Sequence, residues 1–242
     1  PPRDSIRRQR QMCIRDRITI DGPAGAGKTT VSRGLADRLG YRYIDTGALY
    51  RGLALAARKA GVPVDDDVGL EALCVTLRLR FVRNESGCRL FNGDEDIEGQ
   101  IRTPEMSMLA SAISARPVVR RFQLEIQRQF GREKNAVFEG RDMGTVVFPD
   151  ADLKFFLEAP LEVRARRRHH ELAGRSDQPL DAVYKDMQQR DYNDQTRDLA
   201  PLKPAADAIV IDSEHLTPDK VVERMLQEIE RRGERSKGSP ST

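Results

Sequence analysis

The sequence predicts an α/β fold in which helices flank a parallel sheet. Residues 17–21 form a short apolar run that is typical of a buried strand, and the run stops at a glycine. After a glycine-rich loop, Val31, Leu35 and Leu39 recur every four residues, which places them on one face of a helix. Residues 41–44 then predict a second strand. Strand, loop, helix and strand at this spacing begin a βαβ unit, whose strands pair in parallel.

The segment after this unit changes character. A helix predicted at residues 48–60 ends at Gly61, and residues 76–83 then alternate apolar and polar side chains. A turn at 84–87 leads to a second apolar stretch at 88–91, so the pattern predicts a β-hairpin with one solvated face. An antiparallel hairpin inside an α/β chain indicates an inserted small subdomain, which we place at residues 63–105.

Helices and core strands resume after the insertion, and together with the first two strands they complete a predicted five-stranded parallel sheet. The remaining strands are predicted at 136–138, 153–157 and 208–211. The remaining helices are predicted at 106–114, 118–130, 161–172, 180–192 and 218–231.

Composition and charge indicate an ordinary globular protein of 242 residues. No apolar run is long enough to span a bilayer, and no secretory signal is visible. The three cysteines have no metal-binding spacing and predict reduced thiols in a cytoplasmic protein. Both ends are basic whereas residues 18–230 carry a net negative charge, so we predict no nucleic-acid partner. Residues 1–16 and 231–242 are predicted to be tails.

The glycine-rich loop at residues 22–29 has the Gly-x-x-x-x-Gly-Lys-Thr pattern of a phosphate-binding loop. Its glycines allow backbone N–H groups to converge on phosphates at the start of a helix, where the helix dipole favours anions. Lys28 would reach the β- and γ-phosphates, and the Thr29 hydroxyl would face Mg²⁺. The predicted ATP-contacting residues are Gly22, Pro23, Ala24, Gly25, Ala26, Gly27, Lys28, Thr29 and Thr30.

The body of the chain offers cations for a second anionic substrate. It has no Asn-Lys-x-Asp motif for guanine, and the Asp-x-x-Gly match at 66–69 falls in a predicted polar loop at the wrong distance. A kinase that moves a phosphoryl group between two anions needs cations on both sides of the transfer. Arginines near predicted strand ends and loops are Arg51, Arg120, Arg141, Arg190 and Arg197.

Four ordered segments, residues 20–30, 45–51, 139–151 and 200–208, resemble bacterial cytidylate kinases, and the resemblance covers about residues 17–230. It implies a nucleoside-monophosphate-kinase fold whose insertion lies on the monophosphate side and whose helical lid spans about 160–197. It also implies a cytoplasmic monomer that uses ATP and Mg²⁺ to phosphorylate CMP and dCMP.

The resemblance also implies roles for individual residues. Thr46, Arg51 and Arg141 would hold the acceptor phosphate, and Asp194 would contact the ribose. A carboxylate at 142 suits the exocyclic amine of cytosine, which only donates hydrogen bonds. The implied catalytic groups are Lys28, Arg141 and Arg190. The implied acceptor site is Asp45, Thr46, Arg51, Ser111, Arg120, Glu139, Arg141, Asp142, Arg190, Asp194 and Arg197.

Several points stay open on the residues alone. Either Thr29 or Thr30 could lie nearest Mg²⁺, and position 139 carries Glu where the family usually has Asp. Arg190 and Arg197 are seven apart, which predicts one shared helix face. The arginines of residues 164–168 predict a largely solvated lid helix with one arginine touching ATP. The alternative functions are a kinase for UMP or dTMP and a non-catalytic phosphate-loop regulator.

Overall fold

A five-stranded parallel sheet forms the centre of the molecule, in a computed structural model that describes residues 16–84, 87–174 and 177–237. Its strands are β1 (Arg17–Asp21), β2 (Arg42–Asp45), β6 (Ala136–Glu139), β7 (Leu153–Glu158) and β8 (Ile209–Asp212). They lie in the order β2-β6-β1-β7-β8, and every neighbouring pair is parallel. The predicted fold class is therefore confirmed.

Helices cover both faces of this sheet, as a parallel sheet requires. Along β6, Val137 belongs to the same apolar cluster as helices α1 (Lys28–Leu39) and α8 (Pro218–Lys237), whereas Phe138 belongs to a cluster with Met143 and Phe148. Helices α2 (Thr46–Ala60), α4 (Pro104–Ile113) and α5 (Pro117–Phe130) share a further apolar core. Helices α6 (Leu161–Leu172) and α7 (Leu180–Thr196) pack against each other.

The predicted hairpin forms a separate three-stranded antiparallel sheet. Its strands are β3 (Leu79–Asn84), β4 (Gly87–Asn92) and the short β5 (Glu95–Asp96). The predicted start of the hairpin at residue 76 is wrong, because a helix that the sequence analysis missed, α3 (Asp67–Thr76), ends there. The predicted polar loop at 66–69 is wrong for the same reason. The Asp66 side chain accepts a hydrogen bond from the Gly69 backbone at 2.9 Å, and so caps this helix.

Two predicted helix ends are too early. Helix α7 continues four residues past the predicted end at 192, because the polar residues that follow contain no helix breaker. Helix α8 continues to Lys237, since one glycine costs only about 1 kcal/mol inside a helix that is otherwise rich in good helix formers. Residues 231–237, which were predicted to begin a tail, therefore continue this helix. The other residues of the two predicted tails, 1–15 and 238–242, lie outside the described residues.

The carboxyl ends of the parallel strands meet at one edge of the sheet. Asp45 at the end of β2 lies beside Glu139 at the end of β6, and Glu139 in turn lies beside Ile20 in β1. The phosphate loop follows β1 directly at the same edge. Among the described helices, none is both long enough and apolar enough to cross a membrane.

Candidate active site

A cleft of about 510 Å³ opens at this edge of the sheet. Its lining brings together all eleven residues predicted for the acceptor site: Asp45, Thr46, Arg51, Ser111, Arg120, Glu139, Arg141, Asp142, Arg190, Asp194 and Arg197. Six predicted ATP-contacting residues line it as well: Ala24, Gly25, Gly27, Lys28, Thr29 and Thr30. The other three, Gly22, Pro23 and Ala26, are buried and do not line it.

The phosphate loop has the backbone shape that its glycines predict. Gly25 and Gly27 have φ angles of 73° and 89°, which favour glycine. Lys28 is buried in the loop, where its Nζ atom donates a hydrogen bond to the Pro23 carbonyl at 2.6 Å. Burial and the nearby charge of Arg141 hold the pKa of Lys28 well below its ordinary value. An anion bound in the loop would offset both effects.

Thr29 and Thr30 differ clearly in their surroundings. The Thr29 hydroxyl donates a hydrogen bond to Glu139 Oε1 at 2.8 Å, and Tyr43 Oη donates to Glu139 Oε2 at 2.6 Å. Thr30, the next residue of helix α1, also lines the cleft, but it is exposed and does not contact Glu139 through a hydrogen bond among the described residues. The side chain of Glu139 thus reaches Thr29 from β6, and its second oxygen is held by Tyr43 of the neighbouring strand β2.

The acceptor side begins at the end of β2. The Thr46 hydroxyl donates to the Glu139 carbonyl at 2.6 Å. Asp45 caps helix α2 by accepting from the Ala48 backbone at 2.9 Å, and its other oxygen pairs with Arg51 Nη2 at 3.0 Å. Asp45 therefore lines the cleft with both of its oxygens engaged by protein donors.

Two buried carboxylates face arginines deeper in the cleft. Asp142 pairs with Arg120 at 2.7 Å, and Asp194 pairs with Arg141 at 3.0 Å. Ser111 Oγ donates to Asp194 at 3.3 Å. Burial alone would raise the pKa of Asp194, but the neighbouring guanidinium groups, Arg141 first, keep it lowered. The pocket therefore holds hydrogen-bond donors and acceptors in fixed positions, as specific recognition of a small polar ligand requires.

Arg190 differs from these paired arginines. Within the described part of the chain it has no carboxylate within ion-pair distance, and its buried Nε atom has no hydrogen-bond acceptor. Burial, followed by repulsion from Arg141, lowers the pKa of Arg190 to about 10. A buried guanidinium group that forms no ion pair among the described residues, although the charge of Asp194 acts on it, is suited to an anionic ligand.

The prediction that Arg197 shares a helix face with Arg190 is wrong. Helix α7 ends at Thr196, and Arg197 follows in an extended conformation. Its guanidinium group donates to Ser114 Oγ at 3.2 Å and lies 3.8 Å from Asp142. Arg197 therefore lies in the part of the cleft that contains Asp142 and Arg120, and it does not extend the helix face of Arg190.

The prediction of a solvated arginine helix is also wrong for part of α6. Arg164 is buried, where it pairs with Asp191 of α7 at 2.7 Å and donates to the Ala24 carbonyl at 3.0 Å. Arg167 donates to the backbone carbonyl of Ser213 at 2.6 Å. Helix α6 thus contacts the phosphate loop through Arg164. The pattern of polar and apolar residues in α6 does not predict this contact, because the buried residue is an arginine.

Asp21, the last residue of β1, is a site residue that no motif in the sequence predicted. This buried carboxylate accepts hydrogen bonds from the Met143 and Gly144 backbones at 2.9 and 2.7 Å. Those two residues begin a π-helical turn, Met143–Val147, directly after Asp142. Asp21 therefore fixes Asp142 relative to the phosphate loop. The signal available was its place between a buried strand and the loop.

Asp21 also predicts a pH dependence of stability. Burial raises the pKa of Asp21 from 3.8 to about 6, so the folded protein holds this proton more tightly than the unfolded chain. The resulting stabilisation is fully present below pH ~4 and is lost as pH rises through ~6, by up to about 3 kcal/mol. In Asp21→Asn, the free energy of unfolding should therefore not show this decrease between pH 4 and 6. Urea unfolding of both proteins between pH 4 and 7 checks this, and parallel profiles would contradict it.

Comparisons with known proteins agree with this geometry. The cytidylate kinase family model matches residues 18–231. A cytidylate kinase from Geobacter sulfurreducens is 51% identical to this chain, over 86% of this chain and 90% of the relative. Cytidylate kinases from Methylococcus capsulatus and Vibrio cholerae are 47% and 44% identical, each over 88% of this chain and over 96% and 95% of the relative. The chain belongs to the cytidylate kinase family.

Proposed function

We propose that this protein transfers the γ-phosphoryl group of ATP to CMP or dCMP, which gives ADP and CDP or dCDP. The single observation that carries the proposal is the shared cleft. It joins a phosphate loop containing a buried lysine to a pocket in which Asp142 is fixed by Arg120. Family membership supports the same reaction.

The transfer needs no covalent intermediate on the protein. A phosphate oxygen of the acceptor attacks the γ-phosphorus in line, the bond to the bridging oxygen breaks, and ADP leaves. Lys28 holds the donor phosphates, while Arg51 and Arg141 hold the acceptor phosphate. Arg190, which has a lowered pKa and no carboxylate partner among the described residues, stabilises the charge on the transferring group.

Selection of cytosine follows from the part of the cleft that contains Asp142 and Arg120. Asp142 accepts a hydrogen bond from the exocyclic amine, while Arg120 donates to the ring nitrogen and O2. Ser111 contributes a further polar contact beside Asp194, which binds a ribose hydroxyl. Uracil would present a carbonyl oxygen to the Asp142 carboxylate, so UMP and dTMP should be poor acceptors.

Mg²⁺ fits the oxygen donors beside the phosphate loop. Thr29 Oγ1 and Glu139 Oε1 lie 2.8 Å apart there, and hydroxyl and carboxylate oxygens are ligands that Mg²⁺ prefers. Thr29 and Glu139 would hold the ion together with the ATP phosphates, where it neutralises phosphate charge. Tyr43 keeps Glu139 in place through its second oxygen.

The two threonines give a matched test of this assignment. Thr29→Ala should raise the Mg²⁺ concentration needed for half-maximal activity by about 10-fold, because the hydroxyl beside Glu139 is lost. Thr30→Ala removes an exposed hydroxyl from the next residue and should leave the Mg²⁺ requirement unchanged. Titration of Mg²⁺ at fixed ATP measures both. The assignment is wrong if Thr30→Ala has the larger effect.

A panel of acceptors tests the proposed reaction. ADP release is followed with ATP and CMP, dCMP, UMP or dTMP, and the two cytosine nucleotides should be far better acceptors. Equal rates with UMP would favour a kinase for another acceptor. A non-catalytic or acceptor-independent regulator would retain its function in Arg51→Ala and Arg190→Ala, whereas a kinase should lose activity in both.

The proposal also includes a division of the chain into a kinase domain, a subdomain and a lid. We assign the kinase domain to residues 17–230, with residues 63–105 as the monophosphate-side subdomain and about 160–197 as a lid. The lid assignment is supported by Arg164, which joins α6, α7 and the phosphate loop. We further propose a cytoplasmic monomer that acts on free nucleotides and not on nucleic acid.

A further inference from the structure

Arg102 lines the cleft, although no motif in the sequence pointed to it. It lies between the antiparallel sheet and helix α4. Its Nη1 atom donates to Asp45 Oδ2 at 2.8 Å, and its Nε atom donates to Glu98 Oε1 at 2.7 Å. One guanidinium group therefore bridges two carboxylates from different parts of the fold.

On one side, the bridge controls the position of Arg51. Asp45 Oδ2 is shared by Arg102 and by Arg51 Nη2, which lies 3.0 Å away. The buried Nε atom of Arg51 has no acceptor among the described residues. Gly47 permits this arrangement, because a Cβ atom there would lie 3.1 Å from Arg51 Nη1. Arg51 is thus held at one nitrogen and keeps other donors for a ligand.

On the other side, the bridge is anchored in the antiparallel sheet. Glu98 Oε2 accepts a hydrogen bond from the Leu90 backbone of β4 at 3.1 Å. Leu90 is fully buried in the core cluster that contains Leu49 and Leu53 of α2. The sheet is therefore connected to the cleft through Glu98, Arg102 and Asp45.

The charges of this cluster explain why the bridge matters. Arg51 and Arg102 balance Asp45 and Glu98, so the four groups are neutral together. Without Arg102 the cluster would carry one net negative charge beside the place where an anion must bind. Asp45 Oδ2 would also be left to Arg51 alone, which would strengthen its hold on the Arg51 guanidinium group at the expense of a bound anion.

We propose that Arg102 is a positioning residue for the acceptor phosphate, and that it acts by sharing the carboxylate of Asp45 with Arg51. The proposal rests on the proposed function, because it concerns how the monophosphate acceptor is held. It does not place Arg102 in contact with the acceptor. Its effect should therefore fall on the acceptor and not on ATP.

The first test compares kinetic constants of the wild type and Arg102→Met. The KM for CMP should rise about 10-fold or more, as for other residues that position a ligand-binding group, while the KM for ATP should stay within about two-fold. Arg58→Met is the matched control, since Arg58 forms an exposed 2.6 Å pair with Glu105 nearby. It should leave both constants unchanged. If Arg102→Met does not fold, Arg102→Lys serves as the second variant. Lysine keeps the charge but not the several guanidinium nitrogens that bridge two carboxylates, so the KM for CMP should show a smaller rise.

A double-mutant cycle separates positioning from direct contact. In an Asp45→Asn background the shared carboxylate is lost, so Arg102→Met should add little to the KM for CMP. Additive effects would overturn the proposal, and so would equal rises in the constants for CMP and ATP. If the wild type fails to phosphorylate CMP, the proposed function fails. If the wild type is active and Arg102→Met leaves its constants unchanged, only this inference fails.

Discussion

Replacing Lys28 with methionine is expected to reduce kcat for CMP phosphorylation by about 10³-fold. Lys28 is almost completely buried, and its ammonium group lies inside the phosphate loop. Methionine preserves much of the volume but removes the charge that we propose holds the transferring phosphoryl group. Because this charge acts most strongly in the transition state, kcat should fall more than the affinity for ATP.

Lys154 provides a matched control for this substitution. It is also a buried lysine that donates to a carbonyl five residues before it, at 2.6 Å, but it pairs with Asp207 outside the cleft. Lys154→Met should lower the free energy of unfolding and leave kcat of the folded fraction unchanged. Single-turnover measurements at saturating ATP and CMP check both variants. Equal losses of kcat would show that burial of any lysine, and not the Lys28 charge, determines the result.

Replacing Asp142 with alanine is expected to lower kcat/KM for CMP by about 10²- to 10³-fold. The carboxylate is buried and pairs with Arg120 at 2.7 Å, with Arg197 at 3.8 Å. Its loss removes the proposed acceptor for the cytosine amine and leaves Arg120 buried without this carboxylate partner. The constants for ATP should change little, because Asp142 lies on the acceptor side of the cleft.

Asparagine at position 142 tests whether this side chain contacts the base. Asp142→Asn keeps the shape of the side chain but adds N–H donors, which can pair with the carbonyl that uracil presents in place of the amine. The ratio of kcat/KM for UMP to that for CMP should therefore rise relative to the wild type. Measurement of both acceptors with one enzyme preparation gives this ratio. An unchanged ratio would mean that Asp142 does not contact the base.

Local signals in the sequence were enough to predict the parallel sheet and the phosphate loop. The apolar run of β1 and the glycines after it lie within a dozen residues, and their chemistry requires a strand followed by a helix. Helix α3 gave a weaker signal, because Val68 and Val75 are 80% and 71% exposed and do not mark a buried face. Its cap, Asp66, is a weak signal by itself, because Asp is common in turns as well as at helix starts.

The contacts that fix the candidate site could not be predicted in the same way. Tyr43 and Glu139 are 96 residues apart in sequence, and Arg102 and Asp45 are 57 apart. No periodicity connects such pairs, since their proximity depends on strand order and on where the antiparallel sheet is inserted. The resemblance to a family supplied residues that line the cleft, but it did not supply Asp21, Tyr43 or Arg102.

The most direct test of the account follows the γ-phosphoryl group itself. ATP labelled at the γ-phosphate is mixed with the protein, Mg²⁺ and either CMP, UMP or no acceptor, and the labelled products are separated. The account predicts that the label passes to CMP and appears as CDP, with little transfer to UMP and little release as inorganic phosphate. Label released as phosphate at the same rate without an acceptor, or passed equally to UMP, would contradict it.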